Sequence, residues 1–291
     1  MSADKLIDGA AIAADLLGEL GTRIALLAER GVQPGLAVVL AGDDPASAVY
    51  VRNKVKRAEQ VGIRSIAHRL PAEVTLDELL TLVERLNRDP MIHGVLVQLP
   101  LPAQIDAQRV IATIDPSKDV DGFHRDNVGG VTLGLPAMSP CTPSGCMHLL
   151  KHRLGDLAGL HAVVIGRSNI VGKPMATLLL QADCSVTVLH SRSRDAVSLC
   201  RLADIVVVAA GRPGLVDDRW LKPGAVVIDV GIHRVEDAEH AYLTGDVDFD
   251  AVLPKVAAIT PVPGGVGPMT IAFLIHNTVT AAERLAAAGQ G

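Results

Sequence analysis

The stretch HAVVIGRSNIVGKPMATLLLQADCSVTVL, residues 161–189, decides the fold of this chain. An apolar run from His161 to Ile165 is followed by a glycine turn, helical spacing from about Lys173 to Gln181, and a second β-rich run. A strand, a turn, a helix and a strand in this order form one βαβ unit of a parallel sheet. Backbone N–H groups converge where the first strand turns into the helix, so the stretch predicts a dinucleotide-binding turn.

The glycine pattern of this turn is incomplete. The standard fingerprint is G-x-G-x-x-G, and this chain has Gly166 and Gly172 with no glycine at the middle position, so the βαβ context carries the prediction. A P-loop is rejected because Lys173 lies one residue too far from Gly166. In addition, Pro174 replaces the Ser or Thr that would bind magnesium.

The residues after the second strand bear on the choice of cofactor. An acidic side chain there binds the free ribose of NAD, whereas a basic one accepts the additional phosphate of NADP. Arg192 and Arg194 precede Asp195, and Arg167 lies in the glycine turn. This pattern favours NADP, with ordinary solvated arginines as the alternative.

The sequence before residue 140 predicts a second set of alternating strands and helices. The apolar periodicity and a capping box at Thr75 and Glu78 indicate helices over residues 10–29, 47–61 and 75–88 and strands over 36–40, 63–70 and 94–98. Residues 115–143 are rich in Pro, Gly and Asp and predict a long loop, with a domain boundary near residue 140. A final helix is expected from Met269 to Ala287.

Composition narrows the class of protein. A length of 291 residues allows about two domains, and an apolar fraction of 49% dominated by Ala, Val, Leu and Ile is typical of an α/β enzyme. The net charge of −5 argues against a nucleic-acid partner. The four cysteines form no C-x-x-C pair, so we expect reduced core thiols and no metal site. Without a signal peptide or membrane span in the sequence, we expect a soluble, cytoplasmic protein with no membrane partner.

Tyr50 and Lys54 are four residues apart and should share one face of a helix with Ala58 and Val61. Burial there would favour the neutral amine, which can exchange protons near neutral pH. The alternative is that the Lys54 amine reaches solvent and Tyr50 only packs.

Two further polar residues are candidates for the same site. Gln98 ends a buried strand, at the edge of a parallel sheet where α/β sites collect, and its side chain could orient Lys54. Asp121 lies in a Gly-rich loop and could accept two N–H groups of a flat heterocycle. A structural role for each is the alternative.

Six motifs in chain order resemble the bifunctional methylenetetrahydrofolate dehydrogenase/methenyltetrahydrofolate cyclohydrolase family. They are YVRNK at 50–54, HGVLVQLPLP at 93–102, DVDGF at 119–123, PCTPSG at 140–145, GRS at 166–168 and PVPGGVGP at 261–268. The resemblance implies a homodimer of two α/β domains, the second a Rossmann-like NADP-binding domain, with the active-site cleft between them. Residues 1–140 with the C-terminal helix 269–291 would form the folate-binding domain, and residues 141–268 the cofactor domain.

The resemblance also implies roles for individual residues. Lys54 would be the catalytic amine, with Tyr50 lining the folate ring, Gln98 orienting Lys54 and Asp121 binding the pterin. The positions that match cofactor contacts are Gly166, Arg167, Ser168, Ser191 and Ile232. Arg125 and Lys173 depart from the family pattern, which often has Pro and Arg there.

The resemblance implies NADP⁺-dependent oxidation of 5,10-methylenetetrahydrofolate, followed by hydrolysis to 10-formyltetrahydrofolate. Alternatives are an NADP-dependent dehydrogenase of the shikimate type, a dehydrogenase that lacks the hydrolytic step, and a nucleotide-binding regulatory module without catalysis. The joint presence of Lys54, Gln98 and Asp121 argues against the regulatory module.

Overall fold

The structure is a computed structural model that describes residues 3–236 and 241–288. Its chain divides into two units. The first-sheet unit consists of Ala14–Cys141 and Ile271–Gly291, and the second-sheet unit of Met1–Ala13 and Thr142–Thr270.

In the described part of the first-sheet unit, three parallel strands pair in the order β2-β1-β3. The elements up to residue 133 are α1 (Gly9–Glu29), β1 (Gly35–Ala41), α2 (Pro45–Gln60), β2 (Arg64–Leu70), α3 (Leu76–Arg88), β3 (Gly94–Val97), α4 (Ala107–Thr113) and α5 (Arg125–Leu133). The three predicted strands and three predicted helices of this region are all present, with ends that differ by at most two residues. Strand β1 is buried along its whole length, as expected for a central parallel strand covered on both faces.

Helix α3 shows how local sequence sets an element. Thr75 and Glu78 form the predicted capping box, in which each side chain binds the backbone N–H of the other residue. The helix then buries Leu79, Val83 and Leu86 against the sheet, and each such side chain contributes about 1.5–3 kcal/mol.

The long loop predicted for residues 115–143 is wrong in part, because α5 lies inside it. The His124 side chain caps the N-terminus of this helix, and Gly134 ends it in the left-handed conformation. Gly129 and Gly130 lower its intrinsic helix propensity. A tertiary contact compensates, since the buried Asn127 side chain donates to the Pro116 carbonyl at 2.8 Å.

The second-sheet unit contains five parallel strands in the order β10-β7-β6-β4-β5 within the described residues. Its elements are α6 (Cys141–Leu154), β4 (His161–Ile165), α7 (Gly172–Gln181), β5 (Ser185–Leu189), α8 (Ala196–Cys200), β6 (Ile205–Val208), β7 (Val226–Asp229), β8 (His233–Glu236), β9 (Ala241–Thr244), α9 (Phe249–Val252) and β10 (Ala258–Ile259). The last helix, α10 (Val266–Ala288), begins in this unit, and from Ile271 onward it belongs to the first-sheet unit. The predicted βαβ unit of residues 161–189 is confirmed as β4, α7 and β5. Strands β8 and β9 form an antiparallel hairpin.

The N-terminal segment adds to the second-sheet unit. The Ile7 N–H donates to the Ile259 carbonyl at 2.9 Å, and the Lys5 ammonium donates to the carbonyls of Leu253 and Pro254. Among the helices of the residues described, none is long and apolar enough to span a membrane.

Candidate functional site

Helix α2 carries the candidate amine of the first-sheet unit. The Asp44 side chain caps the helix by accepting the Ser47 N–H at 2.7 Å. Lys54 is only 5% exposed and shares a buried face with Ala58, while its Nζ lies 4.8 Å from the centroid of the Tyr50 ring. The prediction that Tyr50 and Lys54 share one helix face is confirmed, and the ring stabilises the ammonium by a cation–π contact.

Gln98 fixes the direction of this amine. The Lys54 Nζ donates to Gln98 Oε1 at 3.0 Å, and Gln98 Nε2 donates to the Leu99 carbonyl at 2.6 Å. Gln98 directly follows β3, at the carboxyl end of the sheet, as the sequence predicted. The second bond holds the amide so that its oxygen faces Lys54.

Asp121 reaches the same sheet edge through a short extension of the sheet. Val95 of β3 forms a parallel bridge with Asp119, two residues before Asp121. The buried Asp119 carboxylate accepts the N–H groups of Gly122 at 3.2 Å and His124 at 2.8 Å. These bonds shape the turn that carries Asp121.

The electrostatics of Asp121 suit proton exchange near neutral pH. Burial raises the pKa of the Asp121 carboxyl from its ordinary value of 3.8 to about 6, although the charge of Lys54 acts in the opposite direction. The Asp121 carboxyl can therefore hold or release a proton near neutral pH.

Two residues that the sequence did not single out support Asp121. The Asn277 side chain donates to the carbonyls of Val120 at 2.8 Å and Ser139 at 2.9 Å. The Cys141 thiol donates to the Val120 carbonyl at 3.2 Å. Burial and the Asp121 charge raise the pKa of this thiol, so it stays protonated and able to donate. Cys141 stands in the PCTPSG motif, whereas no local signal marks Asn277.

The glycine turn between β4 and α7 leaves no room for larger residues. A Cβ on Gly166 would lie 2.1 Å from the Ala209 carbonyl oxygen, and its φ of +129° also favours glycine. A Cβ on Gly172 would lie 2.3 Å from the Gly166 carbonyl oxygen. The Ser168 hydroxyl accepts the N–H groups of Val171 and Gly172 and thereby shapes the turn.

The other predicted cofactor residues follow strands of the same sheet. Arg167 lies exposed in the glycine turn, Ser191 lies exposed after β5, and Ile232 follows β7 with 60% of its surface exposed. Arg192 and Arg194, which follow Ser191, are both exposed. The structure thus places all these residues beyond the carboxyl ends of parallel strands, where dinucleotides bind in such sheets.

The two departures from the family pattern are both exposed side chains. Arg125 is the first residue of α5, where its side chain is exposed beside Asp126 and where Pro is equally well accommodated. Lys173 is exposed and donates to Asn169 Oδ1 at 2.7 Å.

All four cysteines are buried and free, as predicted. In residues 3–236 and 241–288, no group of three or more His, Cys, Asp or Glu side chains is placed to hold a metal ion.

The second-sheet unit is a doubly wound parallel sheet with a glycine turn directly after its strand β4, which is the architecture of a nucleotide-binding α/β domain. Residues 7–121 match the catalytic domain described as "Tetrahydrofolate dehydrogenase/cyclohydrolase", and residues 140–286 match its NAD(P)-binding domain. The chain belongs to the tetrahydrofolate dehydrogenase/cyclohydrolase family.

Three related proteins are similar to this chain over nearly its whole length. "Bifunctional protein FolD 2" of Pseudomonas putida is 64% identical over 279 residues, which are 96% of this chain and 92% of the relative. The crystal structure of the bifunctional FolD enzyme of Campylobacter jejuni has a TM-score of 0.93 at 48% identity, covering 96% of this chain and 98% of its own. The Trypanosoma brucei FolD structure, complexed with NADP and inhibitor, has a TM-score of 0.92 at 43% identity and covers 96% and 97%.

The shikimate-type alternative rests on fold alone. Shikimate dehydrogenase of Aquifex aeolicus has a TM-score of 0.52 at 13% identity, covering 88% of this chain and 97% of its own. This likeness reflects a shared two-domain α/β architecture and says nothing about substrate.

Proposed function

We propose that the chain oxidises 5,10-methylenetetrahydrofolate to 5,10-methenyltetrahydrofolate with NADP⁺ and then hydrolyses the product to 10-formyltetrahydrofolate, in one-carbon metabolism. The observation that carries this function is the buried Lys54 amine held by Gln98 at 3.0 Å, in a chain of this family. This amine is a fixed proton-transfer group, and the same chain also has a dinucleotide-binding turn.

The oxidation step requires alignment more than acid or base help. Accepting the hydride is the chemistry that NADP⁺ supplies when bound. We assign Asp121 to binding the N–H groups of the pterin, since its carboxylate is an acceptor held by a rigid turn. Tyr50 lines the folate ring and keeps its own ring against Lys54.

The hydrolysis step requires proton transfer, because water attacks the methenyl carbon and must lose a proton. Lys54 accepts this proton and returns one to the folate nitrogen that leaves the carbon. Gln98 orients the amine through Oε1 and is itself held by its bond to the Leu99 carbonyl. Lys54 is therefore the general acid–base residue, and Gln98 acts through it.

The second-sheet unit would hold NADP⁺. We assign Gly166, Arg167 and Ser168 to the pyrophosphate turn, since they lie between β4 and the N-terminus of α7, where phosphate groups bind in such sheets. Ser191 and the neighbouring Arg192 suit the additional phosphate of NADP, and Ile232 offers an exposed apolar contact.

The two units correspond to two proposed domains. Residues 1–140 with 269–291 would bind folate, and residues 141–268 would bind the cofactor. The two units support these bounds to within two residues, except that the first 13 residues fall in the second-sheet unit. A homodimer stays a prediction from the family resemblance, and a cytoplasmic location stays a prediction from the sequence. Light scattering on the purified chain tests the homodimer directly.

Replacing Lys54 with Met tests the catalytic assignment. Methenyltetrahydrofolate hydrolysis should fall by about 10²–10⁴-fold, the usual contribution of general acid–base catalysis, while measurable NADP⁺ reduction remains. Lys56→Met is a matched control, because Lys56 is exposed on the same helix and should leave both rates unchanged. Hydrolysis at the wild-type rate in Lys54→Met would remove Lys54 from the mechanism. If folded wild-type protein reduces neither NADP⁺ nor NAD⁺, the proposed function itself is wrong.

A further inference from the structure

A buried carboxylate gathers four donors in the second-sheet unit. Asp246 is 0% exposed, and its Oδ2 accepts the N–H groups of Ala210 at 2.6 Å and Gly211 at 2.8 Å. Its Oδ1 accepts the Arg212 N–H at 2.8 Å and the His233 Nε2–H at 2.7 Å. One side chain therefore holds the 210–212 segment, which follows β6, and the first residue of β8.

A second buried carboxylate anchors Asp246 itself. Asp229 Oδ1 accepts the N–H groups of Gly231 at 3.0 Å and Asp246 at 2.9 Å, and its Oδ2 accepts the Val247 N–H at 3.0 Å. A Cβ on Gly245 would lie 1.8 Å from Asp229 Oδ2, so only glycine fits at this position beside the carboxylate. The carboxylate oxygens are taken up by N–H donors, which gives the pair a positioning role and not that of a cation site.

The network borders the residues assigned to the cofactor on two sides. The 210–212 segment continues from Ala209, whose carbonyl packs directly against Gly166 of the glycine turn. Ile232 lies between Gly231, which is held by Asp229, and His233. Both neighbours of Ile232 are therefore fixed, although Ile232 itself is largely exposed.

We propose that His233 is a positioning residue for NADP⁺ and acts through Asp246, an inference that rests on the proposed function. The His233 side chain closes the network by tying the residue after Ile232 to the carboxylate that holds the 210–212 segment. In this role the His233 side chain acts without contacting the cofactor. Its side chain is 21% exposed, at the rim of the network, so its replacement leaves Asp229 and the three backbone bonds of Asp246 in place.

The test compares two replacements of His233. His233→Leu removes the donor at similar size, whereas His233→Gln keeps an amide N–H that can reach Asp246. His233→Leu should raise the KM for NADP⁺ about tenfold, the effect of about 1.4 kcal/mol, which is in the range of one intramolecular hydrogen bond. The KM for methylenetetrahydrofolate and the nucleotide-free hydrolysis of methenyltetrahydrofolate should stay at wild-type values. His233→Gln should restore most of the NADP⁺ affinity.

His152→Leu is the matched control, since His152 is exposed on α6 of the same unit and should change none of these values. An unchanged KM for NADP⁺ in His233→Leu would refute the inference and leave the proposed function intact. A loss of methenyltetrahydrofolate hydrolysis in the same variant would also refute it, because it indicates general unfolding. A KM for NADP⁺ as high in His233→Gln as in His233→Leu would refute it as well. Failure of the wild-type protein to reduce NADP⁺ would instead refute the proposed function.

Discussion

Replacing Asp121 with Asn should remove a pH dependence from the stability of the chain between pH 4 and pH 7.5, while weakening folate binding. Burial raises the pKa of the Asp121 carboxyl from 3.8 to about 6, even though the Lys54 charge opposes the rise. Between these two values the folded chain keeps a proton that the unfolded chain releases. The free energy of unfolding must therefore fall as the pH rises through this interval.

The size of the effect follows from the two pKa values. At 1.36 kcal/mol for each pKa unit, the gap between 3.8 and about 6 corresponds to about 3 kcal/mol. Asp121 is partly exposed, so solvent screening makes this an upper limit. Asn cannot ionise. The stability of Asp121→Asn relative to wild type should thus grow by about 2–3 kcal/mol between pH 4 and pH 7.5. Burial also raises the pKa of the Asp229 carboxyl to about 6. Asp229 is present in both proteins, so its contribution cancels in the stability difference.

Urea unfolding at several pH values between 4 and 7.5 measures this difference. Circular dichroism follows both units, whereas the fluorescence of Trp220, the only tryptophan in the sequence, follows the second-sheet unit. Glu73→Gln is a control at an exposed carboxylate of the first-sheet unit. A stability difference that stays constant over the whole pH range would show that Asp121 ionises equally in the folded and unfolded chains, and the reasoning would be wrong. The KM for methylenetetrahydrofolate should rise in the same variant.

Gly166→Ala should abolish NADP⁺ reduction and spare the nucleotide-free hydrolysis of methenyltetrahydrofolate, because the new Cβ meets the Ala209 carbonyl. Separate assays of the two reactions check this, and normal reduction would contradict the close packing. Gly94→Ala places a Cβ 2.6 Å from Val120 Cγ1 and should lower the free energy of unfolding by about 1–3 kcal/mol. Adding Val120→Ala should recover part of this loss in urea unfolding, and no recovery would mean that another contact is responsible.

The parts of the fold that follow from sequence are those with strong local signals. Strands β1, β3 and β4 are short, continuous apolar runs, and α3 begins at a capping box, so each was predictable. Helix α5 was not, because its two glycines suggest a loop and its stability comes from contacts such as the bond between Asn127 and Pro116. Tertiary contacts override local propensity there.

The candidate site also contains residues that could be predicted from the sequence and residues that could not. The Lys54 and Gln98 pair could be predicted because helix periodicity and a strand end each mark one partner, and the structure joins them at 3.0 Å. Asn277 could not, because it lies 157 positions from Val120 along the chain and a helix of mostly apolar residues gives no sign of its two carbonyl partners. The role of His233 likewise depends on Asp246, which belongs to a different segment.

The four buried cysteines have a practical consequence, because each can report when its surroundings open. Burial raises the pKa of Cys141, Cys146, Cys184 and Cys200, so a thiol reagent finds little thiolate in the closed protein. Alkylation must then wait for local opening, and its rate measures how often that opening occurs. Cys141 belongs to the first-sheet unit and the other three to the second-sheet unit. Mass spectrometry of the labelled peptides would therefore time the opening of each unit separately, with the native chain and no added probe.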